Sequence, residues 1–258
     1  MEIICCPVCK GSLSLQNQTS EKGFRNDALS CSVCNIEYSG TDGYVDFLGD
    51  NGLVHSSKRE KVIRSIYAKI YTPATNFMFL FCGGVKNARR DVLDKLEIKE
   101  NYKILETGMG AGENLLWISK MAKNLTFYGI DIQKQMIGHC MKNLKKWNLE
   151  AGIYRADAEE LPFRDEKFDV VFHLGAINLF FNKQKAINEM IRVAKPGTKI
   201  IIADETEKAG RLFNYFTGSK DKIVPPFDLI PSGMLDKKIE IIWKGYGYVI
   251  SFLKPKSN

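Results

Sequence analysis

The sequence predicts an α/β fold, a doubly wound parallel sheet preceded by a small cysteine-rich module. Three observations carry that prediction. From residue 103 onward apolar strand-type runs alternate with segments of helical period, a glycine-rich turn joins the first such strand to a helix, and two Cys-x-x-Cys pairs stand near the N-terminus. A length of 258 residues accommodates one α/β domain and a small appendage, and an apolar content of 45% suffices to build a core.

Cys6-Pro-Val-Cys9 and Cys31-Ser-Val-Cys34 are separated by 21 residues. Two-residue spacing lets both thiolates of a pair reach one metal, and two pairs complete a tetrahedral Cys₄ set suited to zinc. A redox Cys-x-x-Cys is the alternative, but a doubled pair in a short polar segment favours structural zinc. A closed set leaves no open position for a substrate, so its expected task is to fold a segment that lacks a core of its own. Cys5 adjoins the first pair but falls outside the spacing, and Cys82 and Cys140 read as small buried apolar residues.

Residues 1–50 carry 3 basic and 7 acidic side chains, whereas the remainder carries 34 and 23, so the net +7 belongs to the larger part. An acidic module with four thiolates is poorly suited to phosphate, which makes it a packing or lid element more than an RNA reader. No N-terminal signal peptide is visible and no apolar run approaches the roughly 18 residues of a membrane span, which places the expectation in the cytoplasm.

Taken in order, residues 1–48 form the cysteine module, 49–100 a linker with N-terminal helices, and 101–258 the α/β domain. Residues 49–57 read as the polar linker. Val62, Ile63, Ile66, Tyr67, Ile70 and Tyr71 then recur with the period of a helix that Pro73 ends. The greasy stretch 77–82 is either a core helix or an apolar wall of a substrate pocket. A second helix, 87–96, leads to the sheet. Strands are predicted at 103–107, 125–131, 152–155, 168–174 and 198–204, helices at 113–122, 134–147 and 183–194, and a closing hairpin at 239–253 turning at 245–247.

The first strand and its turn read KILETGMGAG, residues 103–112. Glycine at alternate positions lets a ligand approach bare backbone. The dinucleotide pattern G-x-G-x-x-G fails because Glu113 stands where its last glycine belongs. What remains, Glu106-x-Gly108-x-Gly110-x-Gly112, resembles motif I of the class I S-adenosylmethionine (SAM) methyltransferases. Asp131 ends the second strand 19 positions after Gly112, where a carboxylate can accept both hydroxyls of a ribose; the alternative is an ordinary helix cap. Arg155-Ala-Asp157-Ala158-Glu-Glu-Leu-Pro162-Phe163, then Phe168-Asp169-Val-Val, then Arg192-Val-Ala-Lys195-Pro196-Gly197 resemble the later motifs of the same family, in the same order, with Ala194 where leucine is usual.

The resemblance covers residues 60–258 and points to the group that includes the quinone-biosynthesis C-methyltransferases. It implies a Rossmann-like sheet of seven strands. In that family the counterpart of Asp131 binds the ribose with Ile132 beside the adenine, and the counterparts of Asp157 and the Ala158 N–H meet the adenine edge. Glu106 is expected to pair with the cationic amino-acid end of SAM, with Thr107, Gly108, Gly110 and Gly112 around its carboxylate, and the resemblance places His173 at the strand end that faces the methionine part of the cofactor. The cysteine module is similar to two zinc ribbons: that of the rRNA guanine-N1 methyltransferases and that of the small activator subunits of tRNA and translation-factor methyltransferases.

Methyl transfer asks the protein mainly to position the nucleophile and exclude water, with a general base only where the acceptor must lose a proton. His173, ending the fourth strand toward the crevice, and Glu205, after the fifth, are the candidates, although a buried structural histidine and a helix-capping glutamate are the plainer readings. The N-P-P-Y/F element of amino-group methyltransferases is replaced by His173-Leu-Gly-Ala-Ile-Asn178, which argues against exocyclic amines and glutamine as acceptors. A small-molecule acceptor is therefore expected, with the residues 211–233 as variable substrate loops. The alternatives are rRNA or tRNA docked by the ribbon, and a non-catalytic SAM-binding or zinc scaffold.

Overall fold

The computed structural model describes residues 2–16, 28–41, 43–49, 84–175, 177–209 and 223–256. The helix expected from residue 58, the apolar stretch 77–82, most of the 49–57 linker and the first part of the 211–233 loop lie outside them.

The described part of the cysteine module contributes four short strands, β1 (Leu13–Gln16), β2 (Ala28–Cys31), β3 (Glu37–Thr41) and β4 (Tyr44–Asp46). After helix α1 (Val85–Leu93) come β5 (Lys103–Thr107), α2 (Glu113–Ile118), β6 (Thr126–Asp131), α3 (Lys134–Trp147), β7 (Ala151–Arg155), β8 (Val170–Leu174), α4 (Lys183–Val193) and β9 (Lys199–Glu205). The antiparallel pair β10 (Leu235–Ile242) and β11 (Gly247–Leu253) closes the chain.

The eleven strands among the described residues hydrogen-bond into one sheet, in the order β1-β2-β3-β4-β7-β6-β5-β8-β9-β11-β10. From β7 to β10 this is the Rossmann-like sheet of seven strands, five of them parallel. Strands β5 and β8 neighbour each other at its centre, and the chain runs outward from them in opposite directions, so a crevice opens beyond their C-terminal ends. The central strands are covered on both faces, which is why VVFHL reads as a nearly unbroken apolar run and why β5 is buried from Ile104 through Thr107.

Helix α3 keeps its predicted bounds, 134–147, because Met136, Ile137, Cys140 and Leu144 form one buried stripe and Asn148 turns left-handed (φ 53°) to end it. Helix α4 starts where the Asn182 side chain accepts from the Lys185 N–H at 2.9 Å, and it stops short of Pro196. The largest shifts from the predicted bounds are two. The helix from 113 ends at Ile118, and the closing hairpin begins at Leu235, four residues before the apolar pattern announces it.

The core has two halves, one on each face of the sheet. One joins α1, α2 and α3 to Ile104, Phe172, Ile201 and Trp243. The other joins α4 to Leu105, Phe163 and Phe168, and it takes in Ile4, Leu13, Leu29, Tyr38 and Phe47 of the cysteine module. The module therefore does not lack a core, as its sequence suggests; it borrows the body's. Aromatic contacts run across the junction, Tyr38 to Phe47 at 4.9 Å, Phe47 to Tyr154 at 6.1 Å and Tyr154 to Phe163 at 5.3 Å. Each such pair contributes about 0.5–1.5 kcal/mol beyond its buried area. Backbone bonds add to the junction: β4 pairs with β7 in parallel, the Cys5 N–H donates to the Pro162 carbonyl, and Ile4 bridges Phe163.

Candidate functional site

The four cysteines of the two pairs converge. The sulfurs of Cys6, Cys9, Cys31 and Cys34 all lie within 4.8 Å of one another, with Cys6 to Cys34 at 3.6 Å and Cys9 to Cys31 at 3.4 Å. Sulfurs around a tetrahedral zinc at about 2.3 Å stand roughly 3.8 Å apart, so the donor set fits that ion. Lys10 and Asn35 take left-handed conformations (φ 59° and 57°) that fold each pair back on itself, and the Val33 N–H donates to the Cys31 sulfur at 3.4 Å. The Tyr38 hydroxyl lies 3.0 Å from the Cys6 sulfur. Cys5 is buried outside the cluster.

At the crevice, the turn after β5 is left-handed at Gly108, Gly110 and Gly112. The Gly110 N–H donates to the Asp131 carboxylate at 2.9 Å, and the Gln133 N–H donates to its other oxygen at 2.8 Å. Asp131 thus ties the glycine turn to the start of α3. Asp157 accepts from the Glu159 N–H at 2.9 Å, in a turn that buries Ala158. Ile132 is half-buried, and its carbonyl accepts from the Arg155 guanidinium at 3.0 Å.

Glu106 is 1% exposed. One of its oxygens accepts from the Asn114 amide at 2.6 Å, and the other has no hydrogen-bond partner among the described residues. Burial pushes this carboxyl up to about 8, against the opposing pull of Asn114 and the Arg89 guanidinium. Arg89, on α1, is itself buried and donates to Asn114 and Glu113. A buried carboxyl oxygen with no partner among the described residues has room for one more partner, and a cation there would favour its ionised form.

Thr107 and His173 face each other across the paired ends of β5 and β8. The Thr107 hydroxyl is wholly buried against the Phe172 carbonyl, the His173 ring and the Met190 sulfur. His173 Nδ1 lies 2.7 Å from the Thr107 carbonyl, which can only accept, so Nδ1 carries the proton and Nε2 is the unprotonated nitrogen. Burial lowers the imidazole to about 4, and no surface of the ring is exposed. As a general base, His173 is accordingly weak and enclosed.

The end of β9 is acidic. Asp204 is buried and accepts from the Asn178 amide at 3.0 Å and from the Glu205 N–H at 2.8 Å. Burial raises its carboxyl to about 6, and burial together with Asp204 raises the half-buried Glu205 to about 7. The hydroxyl of Tyr248, opposite Asp204 in the β9–β11 register, is buried with no hydrogen-bond partner among the described residues.

The structure gathers Glu106, Gly108, Gly110, Gly112, Asp131, Asp157, His173 and Glu205 along the C-terminal ends of the parallel strands, with the cysteine cluster in the module beyond β7. Sequence reasoning missed Arg89, Asn114, Asp204 and Tyr248. Asn114 sits two residues past the glycine turn and Asp204 one residue before Glu205, so their neighbours were the available signal; Arg89 and Tyr248 look like surface and core residues. Among the described residues, no helix is long and apolar enough to cross a membrane.

Residues 98–223 match the family described as "Methyltransferase domain". A sterol 4-C-methyltransferase of Caenorhabditis elegans is 32% identical over 124 residues, which is 46% of this chain and 36% of that protein. A fatty-acid O-methyltransferase of Mycolicibacterium smegmatis is 28% identical over 105 residues, 41% of this chain and 38% of that one. The chain thus spans less than two-fifths of the length of these curated relatives. Among solved structures, a SAM-dependent methyltransferase from Aquifex aeolicus matches with a TM-score of 0.51 and 23% identity, over 64% of this chain and 88% of that one.

Proposed function

We propose that this chain, which carries a SAM-dependent methyltransferase domain, transfers the methyl group of SAM to a small apolar acceptor. The observation that carries the reading is the buried, half-satisfied Glu106 carboxyl at the head of a left-handed glycine turn, within the residues matched by the family. That arrangement suits the cationic amino-acid end of SAM. Asp131 is assigned to the ribose hydroxyls, with Ile132 beside the base, and Asp157 and the Ala158 N–H to the adenine edge. Bound SAM supplies an already activated methyl group, so the chain's own residues orient the acceptor and exclude water. Zinc is assigned to Cys6, Cys9, Cys31 and Cys34, in a structural role.

Of the two candidates for proton removal we favour Glu205. Its carboxyl, near 7 and only half-buried, is matched to neutral pH, whereas His173 is enclosed and near 4. The relatives named for a sterol and a fatty acid support an apolar acceptor.

The test is transfer of radiolabelled methyl from SAM into a deproteinised cell extract separated into organic-soluble, polar small-molecule and RNA fractions. Label is expected in the organic-soluble fraction. Label in RNA, removed by ribonuclease, would replace this acceptor with a nucleic acid, and no label despite SAM binding would leave a binding protein in place of an enzyme.

A further inference from the structure

We infer that Asp46, a carboxylate of the cysteine module, is a positioning residue for the cofactor crevice of the body. The proposal rests on the assignment of Asp131 and Asp157 to the nucleoside. Strand β4 lies beside β7 with Asp46 opposite Arg155, and the Phe47 N–H donates to the Arg155 carbonyl at 2.8 Å. Asp46 is 4% exposed, and both of its oxygens accept from one guanidinium nitrogen of Arg155, at 3.1 and 2.9 Å. That nitrogen also donates to the Gly49 carbonyl at 2.8 Å, while the Leu48 and Gly49 N–H groups each donate to Asp46 at 3.0 Å.

The guanidinium held in this way reaches into the crevice side of the sheet. Its Nε donates to the Ile132 carbonyl, and the backbone group just past β7, the Ala156 N–H, donates to the Asp131 carbonyl at 3.2 Å. Asp131 in turn holds the Gly110 and Gln133 N–H groups. The carboxylate of the module therefore fixes Arg155, Arg155 fixes the 131–132 turn, and the turn fixes the glycine loop. Lys134, 3.6 Å from Asp46 at the head of α3, adds charge at the same joint. An arginine does this work better than a lysine because its rigid fork addresses the module and the turn at once.

The experiment measures binding of S-adenosylhomocysteine and of 5′-methylthioadenosine, which has the nucleoside but not the amino-acid end, to the full chain by calorimetry. In Asp46→Asn both dissociation constants should rise by about tenfold, and by the same factor. Arg155→Lys keeps a charge against Asp46 and gives up the fork to Ile132, so it tests the same link should Asp46→Asn fail to fold; it too should weaken both ligands. Arg164→Ala removes a surface contact between module and body, its bond to Ser12, and should leave both constants within twofold of the original. Unchanged affinity in a folded Arg155→Lys, or a loss confined to S-adenosylhomocysteine, would overturn the proposal. An original chain that binds neither ligand would overturn the nucleoside assignment beneath it.

Discussion

Glu106 shows how one dehydrated side chain couples folding, pH and ligand. Its carboxyl titrates near 8 in the folded chain against an ordinary 4.5, so between those values the folded state holds a proton that the unfolded state has lost. Stability on this account is greatest below pH 4.5 and declines as pH rises toward 8. A bound cation reverses the preference, because the ionised carboxylate then has its partner. Binding of S-adenosylhomocysteine at pH 7 should therefore release close to one proton, read from calorimetric enthalpies in buffers of different ionisation heat. Glu106→Gln keeps the acceptor for Asn114 and removes the titration. It should bind at least tenfold more weakly, release no proton from this site, and melt no lower than the original at pH 8. Proton release equal in variant and original would sink the account.

At the scale of elements, the glycine turn and helix α3 answer to the same physics with opposite signs. Gly112 caps α2 at φ 75°, and a Cβ there would stand 2.6 Å from the buried Cys140 sulfur on α3. Gly112→Ala should cost about 1–3 kcal/mol in denaturant unfolding and weaken binding, since it pushes α2 and Asn114 off Glu106. Gly138 lies inside α3 with nothing within 4 Å of its would-be Cβ. Gly138→Ala should stabilise by about 0.5–1 kcal/mol in the same experiment. Reversed signs would mean that the turn and helix are held in another way. The glycine turn was legible in the sequence because its requirement is local, and α3 because a buried stripe has a period. Strand β10 was half hidden. It is the sheet's outer edge, exposed over nearly its whole length, so Asp236, Lys237 and Lys238 carry no inward signal. The Asp46–Arg155 joint was hidden altogether, since nothing local marks an acid at residue 46 as the partner of a base 109 positions later.

At the scale of the whole molecule, the described strands form one sheet with the four-cysteine module at one end. Separate ribbon and body would be expected to melt separately, yet β4 and β7 share a ladder, and Ile4, Leu29, Tyr38 and Phe47 lie in the same core as Phe163 and Ile200. Lys10 carries the joint further by donating to Glu189 on α4 at 2.9 Å and to the Leu161 carbonyl at 3.1 Å. Burying these groups together makes their loss cooperative. With zinc as the proposed occupant of the four thiolates, its binding free energy counts toward the folding of the entire chain and not of the module alone. A strong chelator, or Cys9→Ser, should then lower the melting temperature of the body, followed by the three tryptophans Trp117, Trp147 and Trp243, all of which lie outside the module. Titrating zinc back into the chelated chain should restore the original melting temperature in a single transition. Tryptophan melting indifferent to zinc, or a separate low-temperature transition of the module, would show instead that the module unfolds on its own and that the shared ladder transmits nothing to the body.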